Sequence, residues 1–147
     1  MDWLWVIILV LRQASPAPDD QWATRLATLD RERAAAFATA DPRRLERVYV
    51  AGSSARTQDS RTIRTYARRG GRVLGAELRV LSCRVVRATP ARVTLDVVDV
   101  LAPAQVAWRD GSSTELPRDQ PSRRRVTLQR TPEGWRLAGS VGLSPRS

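Results

Sequence analysis

A chain of 147 residues carries 25 basic side chains, all of them arginine, against 15 acidic ones, for a net charge of +10, and it contains no lysine, histidine or asparagine and a single cysteine. The length fits one domain of common size, able to bury about two-thirds of the surface that its unfolded chain exposes. Without histidine there is no imidazole base and no histidine-ligated metal, and one thiol cannot build a cysteine cluster; carboxylates, tyrosines, tryptophans and guanidiniums remain, and no catalytic residue, cofactor or metal is assigned.

Residues 3–11 read WLWVIILVL between Asp2 and Arg12, a run too short to span a bilayer but of the length of a signal h-region, so the segment reads as a partial membrane anchor or as signal-like. Its flanks do not suit a signal peptide, since Asp2 stands where a positive charge belongs and cleavage after Ala17 would place Pro18 next. The run is expected to be part of a membrane helix whose N-terminal half lies outside this sequence, with residues 12–20, RQASPAPDD, as a proline-containing tether. Packing of the same run on a groove of the domain is the alternative.

Past residue 20, Trp22, Leu26, Leu29, Arg33, Ala36, Phe37 and Ala40 recur at the spacing of one helical face, which predicts a long amphipathic helix over 20–40 capped by Asp19 or Asp20. Asp41-Pro42 restarts the chain as a short second helix that turns Leu45, Val48 and Tyr49 inward and ends at residues 51–54, AGSS. A third helix over 57–69 presents Ile63, Tyr66 and Ala67, and Gly70-Gly71 stops it.

From Arg72 onward the period becomes two. Leu74, Ala76, Leu78 and Val80 share one face and Leu81, Cys83 and Val85 the other; after Thr89-Pro90, Val93, Leu95 and Val97 give way to Val98 and Val100. Two such shifts of parity predict bulged, strongly bent strands. Cys83 reads as a small buried hydrophobe. Asp110-Gly111 marks a hairpin whose return arm is made irregular by Pro117 and Pro121, and a final hairpin turns at residues 131–134, TPEG.

Helices followed by four or five antiparallel strands, at least two of them bent, predict an α+β cone: a curved sheet wrapped on a long first helix. In this order, and in Leu29-Asp30 with Arg33-Ala34 and Ala36-Phe37, Asp41 with Leu45 and Val48-Tyr49, Gly52-Ser53 before Asp59, Val93-Thr94-Leu95 with Asp99, Arg125-Val126-Thr127-Leu128 and Gly134-Trp135-Arg136-Leu137, residues 21–141 resemble the nuclear transport factor two-like (cystatin-like, SnoaL-type) superfamily, and more narrowly its uncharacterised, membrane-tethered actinobacterial members. Residues 1–20 are then the anchor and tether and 142–147 a tail. A fold of this kind hosts enzymes, adaptors and accessory modules alike. For the enzymes, the resemblance implies a cavity between helix and sheet in which Asp, Tyr or His groups move protons; Tyr49, Tyr66, Asp96 and Asp99 are what this chain offers, with no isomerase or dehydratase dyad and no histidine.

Arg33 falls in the middle of the first helix's apolar stripe, and a charge there needs a partner. Asp99 continues the parity of Val93, Leu95 and Val97, so it is the expected partner, in a buried pair or at an anion site in the cone's mouth. The arginine groups Arg43-Arg44, Arg68-Arg69 and Arg123-Arg124-Arg125 form a candidate basic surface for a polyanion, without preference for nucleic-acid sequence, if they converge on one side. The sequence favours a noncatalytic, extracytoplasmic accessory or binding domain held at a membrane by its N-terminal segment, with a protein partner or a second copy meeting the sheet face. The alternatives are an enzyme using the cone cavity and a polyanion-binding module.

Overall fold

The computed structural model describes residues 18–143; the apolar run at 3–11, most of the tether and the last residues of the tail lie outside them. Helix α1 (Pro18–Ala38) begins with proline at its first position, where the missing N–H has no intrahelical partner to lose. Asp19 and Asp20 therefore lie inside the first turn and do not cap it from outside. The helix stops short of the expected residue 40, because the Asp41 N–H bonds the Ala36 carbonyl at 3.0 Å and the Ala40 N–H that of Phe37 at 3.2 Å, with Ala40 in the left-handed region at φ 50°.

Asp41 caps the next element as expected, accepting the Arg43 N–H at 3.1 Å, but the helix that follows (Pro42–Arg47) is a tighter 3-10 helix. It delivers Leu45, Val48 and Tyr49 to the interior. Helix α2 (Ser54–Arg68) starts earlier than the periodicity predicts, because the Ser53 hydroxyl accepts the Arg56 N–H at 3.3 Å and caps it. It ends at Gly70, whose φ of 79° a side chain would resist.

Seven strands follow: β1 (Gly71–Leu74), β2 (Leu78–Ala88), β3 (Arg92–Leu101), β4 (Gln105–Trp108), β5 (Ser113–Glu115), β6 (Ser122–Thr131) and β7 (Gly134–Leu143). They form a four-stranded sheet in the order β2-β3-β6-β7 and a three-stranded sheet in the order β1-β4-β5, all pairs antiparallel. The α+β order of helices packed on antiparallel sheet is as expected. The larger sheet has four strands, within the four or five expected; a second, three-stranded sheet stands beside it, because the stretch taken as continuous through 74–80 breaks at Gly75, at φ 76°, sending β1 and β2 to different sheets.

Of the two strands for which bulges are predicted, β2 has them and β3 does not; a further register shift lies at Thr127/Leu128 where β6 pairs with β7. Along β2 the register with β3 shifts between Val80 and Ser82 and again between Val85 and Arg87, leaving Leu81 and Val86 surplus and exposed. Strand β3 shows no change of parity: Val93, Leu95, Val97 and Asp99 are all buried in one row, and Val98 and Val100 stay on the opposite face. The reason is position. The edge strand β2 can absorb an extra residue toward solvent, whereas β3 is paired on both sides and keeps its pleat.

Leu45, Val48, Leu95, Val97, Val126 and Leu128 form the fully buried centre between the helices and the inner face of the larger sheet. Half-buried Cys83 packs at the margin of that core and is less covered than expected. The free edge of β7 is closed by the segment after the 3-10 helix: the Leu137 N–H bonds the Val48 carbonyl at 2.8 Å and the Val50 N–H bonds the Leu137 carbonyl at 2.9 Å. Trp22 of α1 meets Trp135 of β7 edge to face at 4.8 Å. No helix among the described residues is long and apolar enough to cross a membrane.

Candidate functional site

Three segments contribute one polar cluster. Arg33 of α1 donates from Nε to Asp59 Oδ2 at 2.7 Å and from its terminal nitrogen to Oδ1 at 3.1 Å, and the Tyr49 hydroxyl donates to the same Oδ2 at 2.5 Å. The guanidinium also lies over the Phe37 ring at 5.0 Å. A bidentate charged pair of this kind is strong and geometrically specific. Arg33 is held above its ordinary value, with the Asp59 carboxylate outweighing the penalty of burial. Burial chiefly, and the neighbouring Asp59 charge, push the Tyr49 hydroxyl well up.

The expected Arg33–Asp99 pair is therefore not formed. Asp99 does point inward and is 2% exposed, but its carboxylate is taken by Arg124 on the same inner face of the neighbouring strand β6, with Nε at 2.8 Å; Arg124 in turn reaches the Ser140 hydroxyl at 3.1 Å. Register explains the choice. Arg124 stands opposite Val97, one step along the β3 row from Asp99, whereas α2 brings Asp59 to α1 from the other side. Asp59 shares a helical face with Ile63 and Tyr66 at steps of four and three, so the spacing that marks Ile63 as core also marks Asp59 as inward.

Beside this cluster lies a cavity of about 490 Å³, walled by Leu26, Asp30 and Arg33 of α1, Tyr49, Ala55, Leu78, Leu101, Leu137 and Ser140, with Pro117, Arg118 and Asp119 across its rim and Arg124 at its side. The rim loop is pinned where Asp119 accepts the Leu101 N–H at 3.0 Å. Asp30 is the unusual member. Its Oδ2 accepts the Leu78 N–H at 2.6 Å, while Oδ1 is sequestered with no hydrogen-bond partner. Burial raises this carboxyl from 3.8 to about 6, against the opposing pull of the Leu78 N–H and of Arg33 and Arg124. Asp30 is absent from the expected site residues although Leu26, Asp30, Arg33 and Phe37 recur at four, three and four, the spacing of the core stripe itself.

The remaining expected residues go elsewhere. Asp96 faces away from the cavity on the sheet's outer side, bridged by Arg123 at 3.0 and 2.5 Å and by Arg84 at 3.2 Å, and these guanidiniums, Arg123 foremost, hold it down to about 2. Tyr66 packs against the core and does not line the cavity. The run Arg123-Arg124-Arg125 does not form one surface, because alternation sends Arg124 inward and leaves Arg123 and Arg125 outside. Arg43 pairs with its own cap Asp41 at 3.1 Å, Arg69 lies over Trp108 at 5.5 Å, Arg68 reaches the Thr65 hydroxyl at 3.4 Å, and Arg44 lies on the 3-10 helix. A larger groove of about 920 Å³ on the other side of Tyr49 has charged and polar walls, Glu32, Glu46, Arg47, Glu133 and Arg136 among them. Among the described residues no cluster of carboxylates and thiol suits a metal ion.

No protein-family model and no curated protein matches this sequence. Among solved structures, the chain is similar to the intermembrane space region of the chloroplast protein ARC6, with a TM-score of 0.57 and 13% identity over 88% of this chain and 100% of that one. It is also similar to a variant of Rv3472, a protein of unknown function from Mycobacterium tuberculosis, with a TM-score of 0.51 and 16% identity over 91% of this chain and 79% of that one. A protein with a cystatin-like fold from Caulobacter vibrioides aligns at a TM-score of 0.47 and 11% identity, over 80% and 87% of the two chains. The first two likenesses show a shared fold.

The Asp59 side chain is 14% exposed in the intact pair, and removing Arg33 leaves its carboxylate held by Tyr49 alone. Arg33→Ala is expected to destabilise the domain by about 3 kcal/mol, while Arg33→Met with Asp59→Leu recovers much of the loss. Urea unfolding of the double-mutant cycle measures a coupling above about 1 kcal/mol for Arg33 with Asp59 and none for Arg33 with Asp99.

The Asp30 carboxyl titrates near 6 in the folded protein against 3.8 ordinarily. Between these values the folded state holds the extra proton, so this group's contribution is fully present at acid pH and is lost as pH rises through about 6. Asp30→Asn keeps an acceptor for the Leu78 N–H and carries no charge. It is expected to be more stable than the native protein by about 1 to 3 kcal/mol at pH 7, with the advantage gone at pH 4, as measured by urea unfolding at both.

Proposed function

We propose that this chain is a noncatalytic binding domain of the nuclear transport factor two-like superfamily, held at the extracytoplasmic side of a membrane, and that its cavity takes a small, largely apolar ligand bearing a hydrogen-bond donor. The observation that carries the ligand class is Asp30 Oδ1, buried without a partner in the wall of a cavity of about 490 Å³ lined by Leu26, Leu78, Leu101 and Leu137. An unsatisfied buried acceptor costs about 1 to 3 kcal/mol, and a ligand hydroxyl or amine that answered it would recover that energy while its apolar body filled the leucine-lined space. Superfamily membership is supported by the order of helices before a bulged antiparallel sheet; membership of the membrane-tethered actinobacterial group is supported by the apolar run at 3–11 and the residue patterns named above.

Binding without turnover is favoured by how the other polar groups are used. Arg33, Asp59 and Tyr49 answer one another, and Arg124 answers Asp99, so Asp30 has no positioned acid opposite it. A lone carboxylate base gives modest acceleration. The same carboxyl favours a second reading, in which Asp30, poised near 6, takes a proton from a bound carbonyl compound.

A protein partner, preferred to a second copy, would meet the sheet's outer face. The register places Arg79, Arg84, Arg87, Arg92, Arg123 and Arg125 there with Asp96 as the sole carboxylate in the register of β2, β3 and β6 on that face among the described residues, so two copies meeting face to face would repel and an acidic partner would be drawn in.

Thermal unfolding against a panel of monoterpene alcohols and their parent hydrocarbons tests the ligand class. The alcohols are expected to raise the melting temperature, Leu101→Trp to abolish the rise by filling the cavity, and Asp30→Ala to reduce it for alcohols alone. Consumption of a carbonyl compound that stops in Asp30→Asn would establish the enzyme instead. Separately, the natural product expressed from its own start is expected to sediment with membranes, and a chain beginning at Gln21 to remain in the supernatant; release of the natural product into the cytosol would remove the anchored localisation.

A further inference from the structure

The side of α2 turned away from the core carries an arrangement that neither the cavity nor the sheet needs. Arg56, Ser60, Arg64 and Arg68 recur at every fourth residue in one row, Thr57 and Arg61 form the adjoining row, and these six side chains alone line a shallow groove of about 370 Å³. Successive members of a row stand about 6 Å apart along the axis, so the guanidiniums follow one another along about 18 Å of helix. The helix's own carboxylate, Asp59, is turned away from Arg61, Arg64 and Arg68 and is held by Arg33 and Tyr49.

Among the described residues, none of these four arginines is paired with a carboxylate. That sets them apart from Arg33, Arg84, Arg123 and Arg124, each of which meets an aspartate. Like charges at steps of three and four oppose helix formation, and here Arg61, Arg64 and Arg68 repel without compensation inside the fold. The outer sheet face is also basic, but its arginines are interleaved with Asp96, Thr94 and Gln129, and Arg92 is bonded to Gln129. The α2 groove instead joins guanidinium forks to the Ser60 hydroxyl in one concavity, beside Thr57, whose own hydroxyl donates to the Ser53 carbonyl at 3.3 Å; guanidinium forks with a hydroxyl are a donor set that recognises phosphoryl oxygens.

We infer that the Arg56–Arg61–Arg64–Arg68 groove is a binding site for a ligand presenting clustered phosphoryl groups, separate from the cavity that holds Asp30. The ligand's charge relieves the repulsion along the helix, so binding stiffens α2 and weakens steeply as salt rises.

Isothermal titration with tripolyphosphate and sedimentation with phosphatidylcholine vesicles containing 30% phosphatidylglycerol test the site on the full chain. Arg61→Gln with Arg64→Gln removes two exposed guanidiniums while keeping helix-forming residues, and Arg79→Gln with Arg87→Gln removes the same charge from the sheet. The expected result is binding of at least one probe that falls about tenfold or more in the α2 variant and is unchanged in the sheet variant. Tripolyphosphate identifies a soluble phosphate source and the vesicles a lipid headgroup. Binding of neither probe, equal loss in both variants, or binding confined to a single-stranded oligonucleotide overturns the site.

Discussion

The Asp59 carboxylate takes hydrogen bonds from the Arg33 guanidinium and the Tyr49 hydroxyl, and through them α1, the segment after the 3-10 helix and α2 are held in one arrangement. Much else in the N-terminal half follows from that contact. Tyr49 sits between Val48 and Val50, whose backbone groups close the edge of β7, so the same residue that meets Asp59 also sets where the helical layer attaches to the sheet. Trp22 against Trp135 fixes the other end of α1 over β7. With both ends placed, Leu26, Asp30 and Arg33 have no choice but to form one wall of the cavity above the sheet's inner face.

Charge is distributed by a simple rule in this chain. Carboxylates are outnumbered, and Asp59 and Asp99 on the inside, together with Asp96 on the outer face, are each shared with one or two arginines, Asp30 being the inward-facing exception. Breaking any of these would strand a charge in a poor solvent for it. The excess of arginine over acid is carried at the surface, where screening makes it cheap and where it shapes association more than folding. Within that excess, position matters: on the outer sheet face the arginines surround an aspartate, and on α2 Arg61, Arg64 and Arg68 line a groove with no carboxylate in its walls, while Arg56 also borders the larger groove that holds Glu32 and Glu46.

The helices were legible in residue spacing because each buries one face against a single layer, and period 3.6 records that directly. Leu45, Val48, Tyr49 and Ile63 are inside where the spacing puts them. Three boundaries depend instead on caps and backbone geometry: Pro18 opening α1, Ala40 closing it and Ser53 opening α2. The bulges of β2 show as a change of parity because the surplus residues Leu81 and Val86 are themselves apolar; the same pattern in β3 misleads, because Val98 and Val100 are apolar residues on the outer face. The pairing of Arg33 was only half legible. Burial of a charge in the stripe demands a carboxylate, but Asp59 and Asp99 both satisfy the inward condition, and only the tertiary placement of α2, which sets Asp59 within reach of Arg33 while Arg124 takes Asp99, decides between them.

Asp30 shows how a structural pair can create a functional group at its side. Arg33 lies one turn from Asp30 on α1, close enough to lower its pKa through space, yet its nitrogens bond Asp59. Arg124 likewise acts on Asp30 at a distance while its hydrogen bonds go to Asp99 and Ser140. Were either guanidinium to turn and bond Asp30, the carboxyl would be driven down to the range of an ordinary ion pair and both of its oxygens would be answered. Because each is held by another aspartate, Asp30 keeps one oxygen unanswered and a pKa of about 6, so the polar character of the cavity is set by hydrogen bonds that Asp30 itself does not make.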